Sequence, residues 1–428
     1  MPVSRKRKQA KQKKTQQRRQ SQGLPRSAAA LGVDSTDFLA DLTRHREQLD
    51  LRRGTRAKSA AGPLLAELTE LAATATESEL EDELCVRMGR TLTDLAAADG
   101  LETHVGPNIF LEVFVDTALG AIDDAGPAWQ APWRVAAVVA GTVPEPFAAM
   151  MADALGDLRA RINAAVLPLL PSGPVLAGRP VWTRDLYGSR FGVAAPFRIG
   201  DGPERWYLWD IDTCSGTAHT VHGRYHETLD AALADWLSGV GEPAADGVTF
   251  GPIDDRELLD RLMPREEGFM RIGGETTEQF AEYHRSKRLA EVVLAETPVR
   301  PTDRRDSALS KEAAGRFADW YLAQADLPPQ PTAFDELVGE LADSWLILDR
   351  DAPYQACSPH RITQVAAHVR GFYQDDFAAE LTALLPAWVS WLIEQGDLPV
   401  HLAERSRAVA LNPPVVADGS AHLTRVTE

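Results

Sequence analysis

Between residues 190 and 212 the hydrophobic pattern of this chain changes period, and that change limits its fold more than any other feature. Phe191, Val193, Ala195, Phe197 and Ile199 alternate with the residues between them. Alternation at period two marks a strand, because successive side chains leave opposite faces. Gly200-Asp201-Gly202-Pro203 is a turn signal. The following Arg205-Trp206-Tyr207-Leu208-Trp209-Asp210-Ile211-Asp212 predicts a second strand, aromatic toward both faces, so both faces need cover. A third strand is expected over 217–222. After it, Leu229, Leu233, Trp236, Leu237 and Val240 recur at helical spacing. The segment therefore predicts a small antiparallel sheet with a helix packed on it.

On either side the period is helical. Ser78 and Glu81 have the spacing of a capping box, and Leu80, Leu84, Met88, Leu92 and Leu95 follow at helical intervals, with Gly100 as the stop. A short helix is expected over 36–50. Pro127, Pro132, Pro144 and Pro146 divide the next stretch into short helices. Farther on, Ser358 and Pro359 match an N-cap with proline at the first helical position. Ile362, Val365, Ala366, Val369 and Phe372 line that helix; Phe377, Leu381, Leu384, Leu385, Trp388 and Leu392 line the next. Breaks are expected at 297–309 and 328–331. The fold class that follows is α+β, predominantly α-helical, with helical regions flanking a small antiparallel β-sheet domain. The divisions are a disordered basic tail (1–33), a helical region (34–170), the sheet plus helix (171–243), a Gly/Pro/Ala linker (241–253), a helical C-terminal domain (252–410) and a loose tail (411–428).

Charge separates the tail from the rest. Ten of the 45 Lys and Arg lie in residues 1–33, which hold no acid, so the other residues carry about −27 against −17 for the whole chain. Arg5, Lys6, Arg7, Lys8, Lys11, Lys13, Lys14, Arg18 and Arg19 form a cationic run with almost nothing apolar to bury. Such a run can neutralise phosphates without a fold. No aromatic interrupts it, so base stacking is not offered and any contact would tolerate sequence. The plainer reading of such a run is a solvated, solubilising extension, or one that lies against its own acidic body.

Three cysteines, Cys85, Cys214 and Cys357, are few, odd in number and far apart, which fits a reducing compartment rather than a disulfide framework. No stretch approaches the ~18 consecutive apolar residues of a membrane span, and residues 162–178 are broken by Pro168, Pro171 and Pro174. The basic N-terminus lacks the apolar core of a signal peptide. A cytoplasmic location without membrane contact is expected.

P-loop, G-x-G-x-x-G, H-E-x-x-H, G-x-S-x-G and paired C-x-x-C signatures are all missing. Two weaker constellations remain. Asp210 and Asp212, two apart on a strand, share a face and could hold Mg²⁺ or position a water, with Asp185 as a third carboxylate. Strand-end turns favour aspartate for plain structural reasons as well. Cys214, His219, His222 and His226 bring zinc-ligand types into one short segment. Strand geometry sends His219 and His222 to opposite faces, and His226 is expected near the start of the following helix. Trp320, Trp345, Trp388 and Trp391 are expected in the core. Glu278, Glu282 and His284 are expected at the surface. No catalytic residue, metal ligand or cofactor is assigned.

Two segments carry a resemblance. Arg184-Asp185-Leu186-Tyr187-Gly188-Ser189-Arg190-Phe191-Gly192 leads through Ala195-Pro196-Phe197 to Trp209-Asp210-Ile211-Asp212. Ser358-Pro359 leads to Leu385-Pro386-Ala387-Trp388-Val389-Ser390-Trp391 and Leu398-Pro399. Together they resemble a group of uncharacterised proteins from high-GC actinobacteria, over the last half to two-thirds of the chain. The resemblance implies a fold and a bacterial source, and carries over no site residues. The expected function is that of an intracellular binding or adaptor protein. Its basic tail would touch nucleic acid or ribosomes non-specifically, and its acidic body would meet a protein partner. The alternative is a metal-assisted hydrolase using Asp210 and Asp212.

Overall fold

The computed structural model describes residues 35–97, 104–161, 173–214, 218–264, 276–296, 306–324, 326, 328, 331, 333–348, 357–396 and 398–414. It is α+β and mostly helical, with one antiparallel sheet between helical layers.

The first layer comprises α1 (Ser35–Leu71), α2 (Glu77–Ala97), α3 (Pro107–Asp124), α4 (Gln130–Thr142) and α5 (Phe147–Arg161). α1 continues far beyond the short helix expected at 36–50. Gly54, Gly62 and Pro63 do not end it. Ala57, Ala61, Leu64, Leu65 and Leu68 are buried along its second half, and this packing outweighs the poor helix propensity of Gly54, Gly62 and Pro63. The cap of α2 lies two residues before the expected position. Glu79 Oε2 accepts from Thr76 N at 2.8 Å, and Glu79 N donates to Thr76 Oγ1 at 3.3 Å. Ser78 is already inside the helix.

The sheet contains β1 (Val175–Leu176), β2 (Val181–Arg184), β3 (Arg190–Arg198), β4 (Arg205–Asp212), β5 (His219–His226) and β6 (Gly251–Pro252). Its order is β5-β4-β3-β2-β6, with β1 beside β2 on the same edge of β3. The expected alternation holds for Phe191, Val193, Ala195 and Phe197, whereas Ile199 falls beyond the end of β3. β5 extends four residues past the expected 217–222 and includes His226.

Both faces are covered, as the aromatic β4 requires. α6 (Leu229–Val240) and α7 (Glu242–Ala245) lie between β5 and β6 in the chain, and α8 (Arg256–Leu262) and α9 (Thr277–Glu296) follow β6. Phe191, Val193, Phe197, Tyr207, Trp209 and Ile211 pack against Leu258, Leu259, Leu289, Ala290 and Val293 of α8 and α9. On the other face Leu208 packs with Ala232, Trp236 and Val240 of α6. Trp236 lies directly over β3: a Cβ at Gly192 would stand 2.9 Å from Trp236 Cδ1. The sheet layer thus takes in β6, α8 and α9, all beyond residue 243. α9 also joins it to the first layer. A Cβ at Gly89 in α2 would lie 2.7 Å from both Ala281 Cβ and Thr277 O, so only glycine permits this close crossing.

The last layer holds α10 (Asp306–Ala323), α11 (Phe334–Leu348), α12 (Pro359–Phe372), α13 (Asp375–Gln395) and α14 (Val400–Leu411). Trp345, Trp388 and Trp391 are buried with Phe317 at its centre, and Trp320 packs beside them partly exposed. Among the described residues one helix, α13, is long and apolar enough to cross a membrane by length and composition. Its apolar side chains, from Leu381 to Leu392, form the core of this layer. Leu402 of α14 reaches across to the α6 face of the sheet.

Candidate functional site

The polar residues of the strand ends and the C-terminal layer meet at one place. β2 and β3 are joined by Asp185-Leu186-Tyr187-Gly188-Ser189, in which Gly188 has φ +72°. That left-handed conformation favours glycine. Asp185 closes the turn: Oδ1 accepts from Ser189 N at 2.8 Å and Arg190 N at 2.9 Å. Arg190 reaches across the ladder to Asp210 in a two-pronged pair, Nε–Oδ1 2.8 Å and Nη2–Oδ2 2.6 Å. Thr213 N and Oγ1 both donate to Ser189 O, at 3.0 and 2.8 Å. These bonds explain the Arg-Asp-Leu-Tyr-Gly-Ser-Arg segment as a hairpin with its own internal fastening.

Asp212 faces outward from this hairpin toward α12. Its Oδ1 accepts from Cys214 N at 2.6 Å, and its Oδ2 stands 3.0 Å from His360 Nδ1. Cys214 Sγ lies 3.5 Å from Ser358 Oγ. Ser358 is the expected N-cap of α12, accepting from Arg361 N at 3.2 Å, with Pro359 at the first helical position. The cap fixes where His360 sits, one residue into the helix. Gln364, one turn later, places its amide nitrogen 3.0 Å from His360 Nε2. The cluster is sealed: Asp210 is 1 % exposed, Asp212 9 %, Cys214 2 % and His360 6 %.

Electrostatics follow from burial and pairing. Burial alone would raise the pKa of Asp212 and lower that of His360. Their mutual attraction overrides burial in both. The His360 imidazolium, with the Cys214 N–H, holds the Asp212 carboxyl well below the usual range, and the carboxylate holds His360 well above its own. Among the described residues no cationic side chain forms an ion pair with Asp185. Burial pushes it up to about 6, against the pull of two backbone N–H groups and Arg190. Burial also pushes the Cys357 thiol up to about 12.

Asp210 and Asp212 do share a face of β4, as expected. Their carboxylates nonetheless serve different partners, Arg190 and His360, and Asp185 is bound to the turn. The Cys/His constellation is divided. Cys214 goes to α12, while His222 and His226 both face Asp235 of α6, at 3.4 and 3.6 Å. The expectation of opposite faces for His219 and His222 fails because of a β-bulge. Asp210 pairs with His222 but Ile211 pairs with Thr220, so Val221 is an extra residue. His219 pairs with Asp212, and both histidines come to the aspartate face. His226 ends β5 rather than starting α6, which Thr228 caps. His284, expected at the surface, is 3 % exposed. Glu282 is held by Arg285 and by Tyr207 Oη, which donates at 2.9 Å. Arg285 also meets Glu81 and Asp82 of α2, forming a second charged seam between the first layer and the sheet.

Among the described residues, Asp212, Cys214 and His360 are the one group of His, Cys, Asp or Glu side chains whose ligand atoms converge, all within 4.8 Å of one another. The sequence does not point to His360 as a partner of Cys214 because it lies 146 positions farther along the chain; its Ser-Pro cap is the only local signal. Two surface clefts of about 440 and 460 Å³ lie elsewhere. One lies between α1 and α2, lined by Pro63, Glu67, Arg87, Arg90 and Asp94. The other lies beside β2 and β6, lined by Trp182, Arg184, Asp254 and Asp255. The tail residues Arg5, Lys6, Arg7, Lys8, Lys11, Lys13, Lys14, Arg18 and Arg19 lie outside the described residues. Comparison with family models, with curated proteins and with solved structures finds no match to this chain.

Proposed function

We propose that this is a cytoplasmic binding or adaptor protein. Its basic tail contacts nucleic acid or ribosomal RNA without sequence preference, and its acidic body engages a protein partner. The observation that carries the reading is the segregation of charge: ten cations and no acid in residues 1–33, about −27 over the rest. The site geometry supports it over the hydrolase. Asp210 is engaged through both oxygens by Arg190, Asp212 by His360 and Cys214 N, and neither clefts' lining includes them.

The test is binding of the full chain, and of the chain lacking residues 1–33, to generic RNA and duplex DNA as salt is raised. A tail neutralising ~6–10 phosphates loses roughly 10³–10⁵ in affinity between 50 and 200 mM salt. Tail-dependent binding of that steepness is the expected result. Equal binding by both forms, or none by either, would refute the tail's role. Divalent-dependent phosphoester hydrolysis abolished by Asp210→Asn would establish the hydrolase instead.

A further inference from the structure

We infer that Asp212, Cys214 and His360 form a zinc site that fastens the end of β4 to the first turn of α12. The inference is independent of the binding role proposed above. Three different donors converge here, a carboxylate oxygen, a thiol sulfur and an imidazole nitrogen, within 4.8 Å of one another and all buried. Zinc bonds of ~2.0 Å to O and N and ~2.3 Å to S, in a tetrahedron, separate ligand atoms by roughly 3.3 Å for N–O and roughly 3.5 Å for pairs with S. Asp212 Oδ2 and His360 Nδ1 are 3.0 Å apart, so they need to open by only a few tenths of an ångström. Thiolate and imidazole with one carboxylate suit zinc; magnesium and calcium take all-oxygen shells.

The surroundings already hold the ligands in place. Asp212 Oδ1 is occupied by Cys214 N at 2.6 Å, which leaves Oδ2 as the oxygen that faces His360. The far nitrogen of His360 meets the Gln364 amide at 3.0 Å. A half-turn of that amide presents its oxygen to an Nε2–H, the outer-shell bond that orients a metal-bound imidazole. One residue sits on a strand end and another on a capped helix, so the geometry is set by rigid elements.

Charge also closes. A dication with one carboxylate, one thiolate and a neutral imidazole sums to zero, so the interior gains no net charge. The thiol proton, and any proton on the imidazole, leave to solvent as the metal binds. A water is expected in the fourth position. Because the ligands are sealed in the folded protein, zinc would enter during folding and contribute to its free energy.

The experiment uses the full chain, purified without chelator and assayed for zinc, then unfolded, stripped and refolded with Co²⁺. The expected result is about one zinc per chain and a thiolate-to-cobalt charge-transfer band. The band should vanish in Cys214→Ser and persist when Cys85 and Cys357 are both changed to Ser. Gln364→Leu should weaken zinc binding by about 10–100-fold. Should Cys214→Ser fail to fold, the band in the double variant still assigns it to Cys214. Substoichiometric zinc together with no band in the refolded wild type would overturn the site, as would a band that survives Cys214→Ser.

Discussion

Asp185→Asn should stabilise this protein at neutral pH and leave it unchanged in acid. Asp185 is 2 % exposed, so its carboxylate is desolvated with little screening. Its pKa is raised from 3.8 to about 6 by burial, in spite of Ser189 N, Arg190 N and the Arg190 charge. Asparagine keeps an amide oxygen for the same two N–H donors and stands in for the protonated acid. Below about pH 4 both forms of the wild type, folded and unfolded, are protonated, and the variant should match it. Between about pH 4 and 6 the unfolded chain releases its proton while the folded chain keeps it. Stability of the wild type therefore falls as pH rises, and above about 6 the loss is complete. At 1.36 kcal/mol per pH unit, a rise from 3.8 to about 6 is worth about 3 kcal/mol. Urea unfolding of both proteins from pH 4 to 8 measures the difference directly. It should grow from roughly zero to about 3 kcal/mol in favour of the variant. A variant less stable than wild type at pH 7, or a difference that does not change with pH, would refute the reasoning.

Asp210→Asn should cost about 3–5 kcal/mol in the same assay, because it leaves the buried Arg190 guanidinium without its counterion. Replacing the pair together, Arg190→Met with Asp210→Leu, should recover most of that loss. Gly89→Ala places a methyl 2.7 Å from Thr277 O and Ala281 Cβ. With both approaches at 2.7 Å the overpacking falls in the upper part of the usual range, about 2–3 kcal/mol; about 1 kcal/mol of helix propensity offsets it, so a net loss of about 1–2 kcal/mol is expected on thermal or urea unfolding.

What the sequence made legible was whatever is encoded by neighbours. Phe191 to Phe197 announced β3 by period, and Ser358-Pro359 announced the cap of α12 through the backbone N–H groups it must satisfy. The amphipathic stripe of α6 was equally plain. Local rules failed where a distant contact decides. α1 continues past Gly54 and Gly62 because its second half is buried against other helices. The faces of β5 were misread because the bulge at Val221 is a property of the pairing with β4, not of β5 itself. The same holds for the candidate site. Asp210 and Asp212 were visible as a pair on one face, but Arg190 and His360, which separate their roles, are selected by the folded topology. Cys214 was grouped with the nearest histidines in sequence, and the one it meets lies in another layer.

The place of α9 in the fold bears on how the protein can be made. The apolar face of β3 and β4, with Phe191, Phe197, Tyr207, Trp209 and Ile211, is roofed by a helix that ends at Glu296. About 70 residues separate the last strand residue before α6, His226, from that end. At roughly 5–20 residues per second, synthesis leaves this aromatic face without its lid for roughly 4–14 s. During that interval the aromatic face of the nascent sheet is uncovered, and a chain stalled between residues 226 and 296 should aggregate more readily than one released past Glu296.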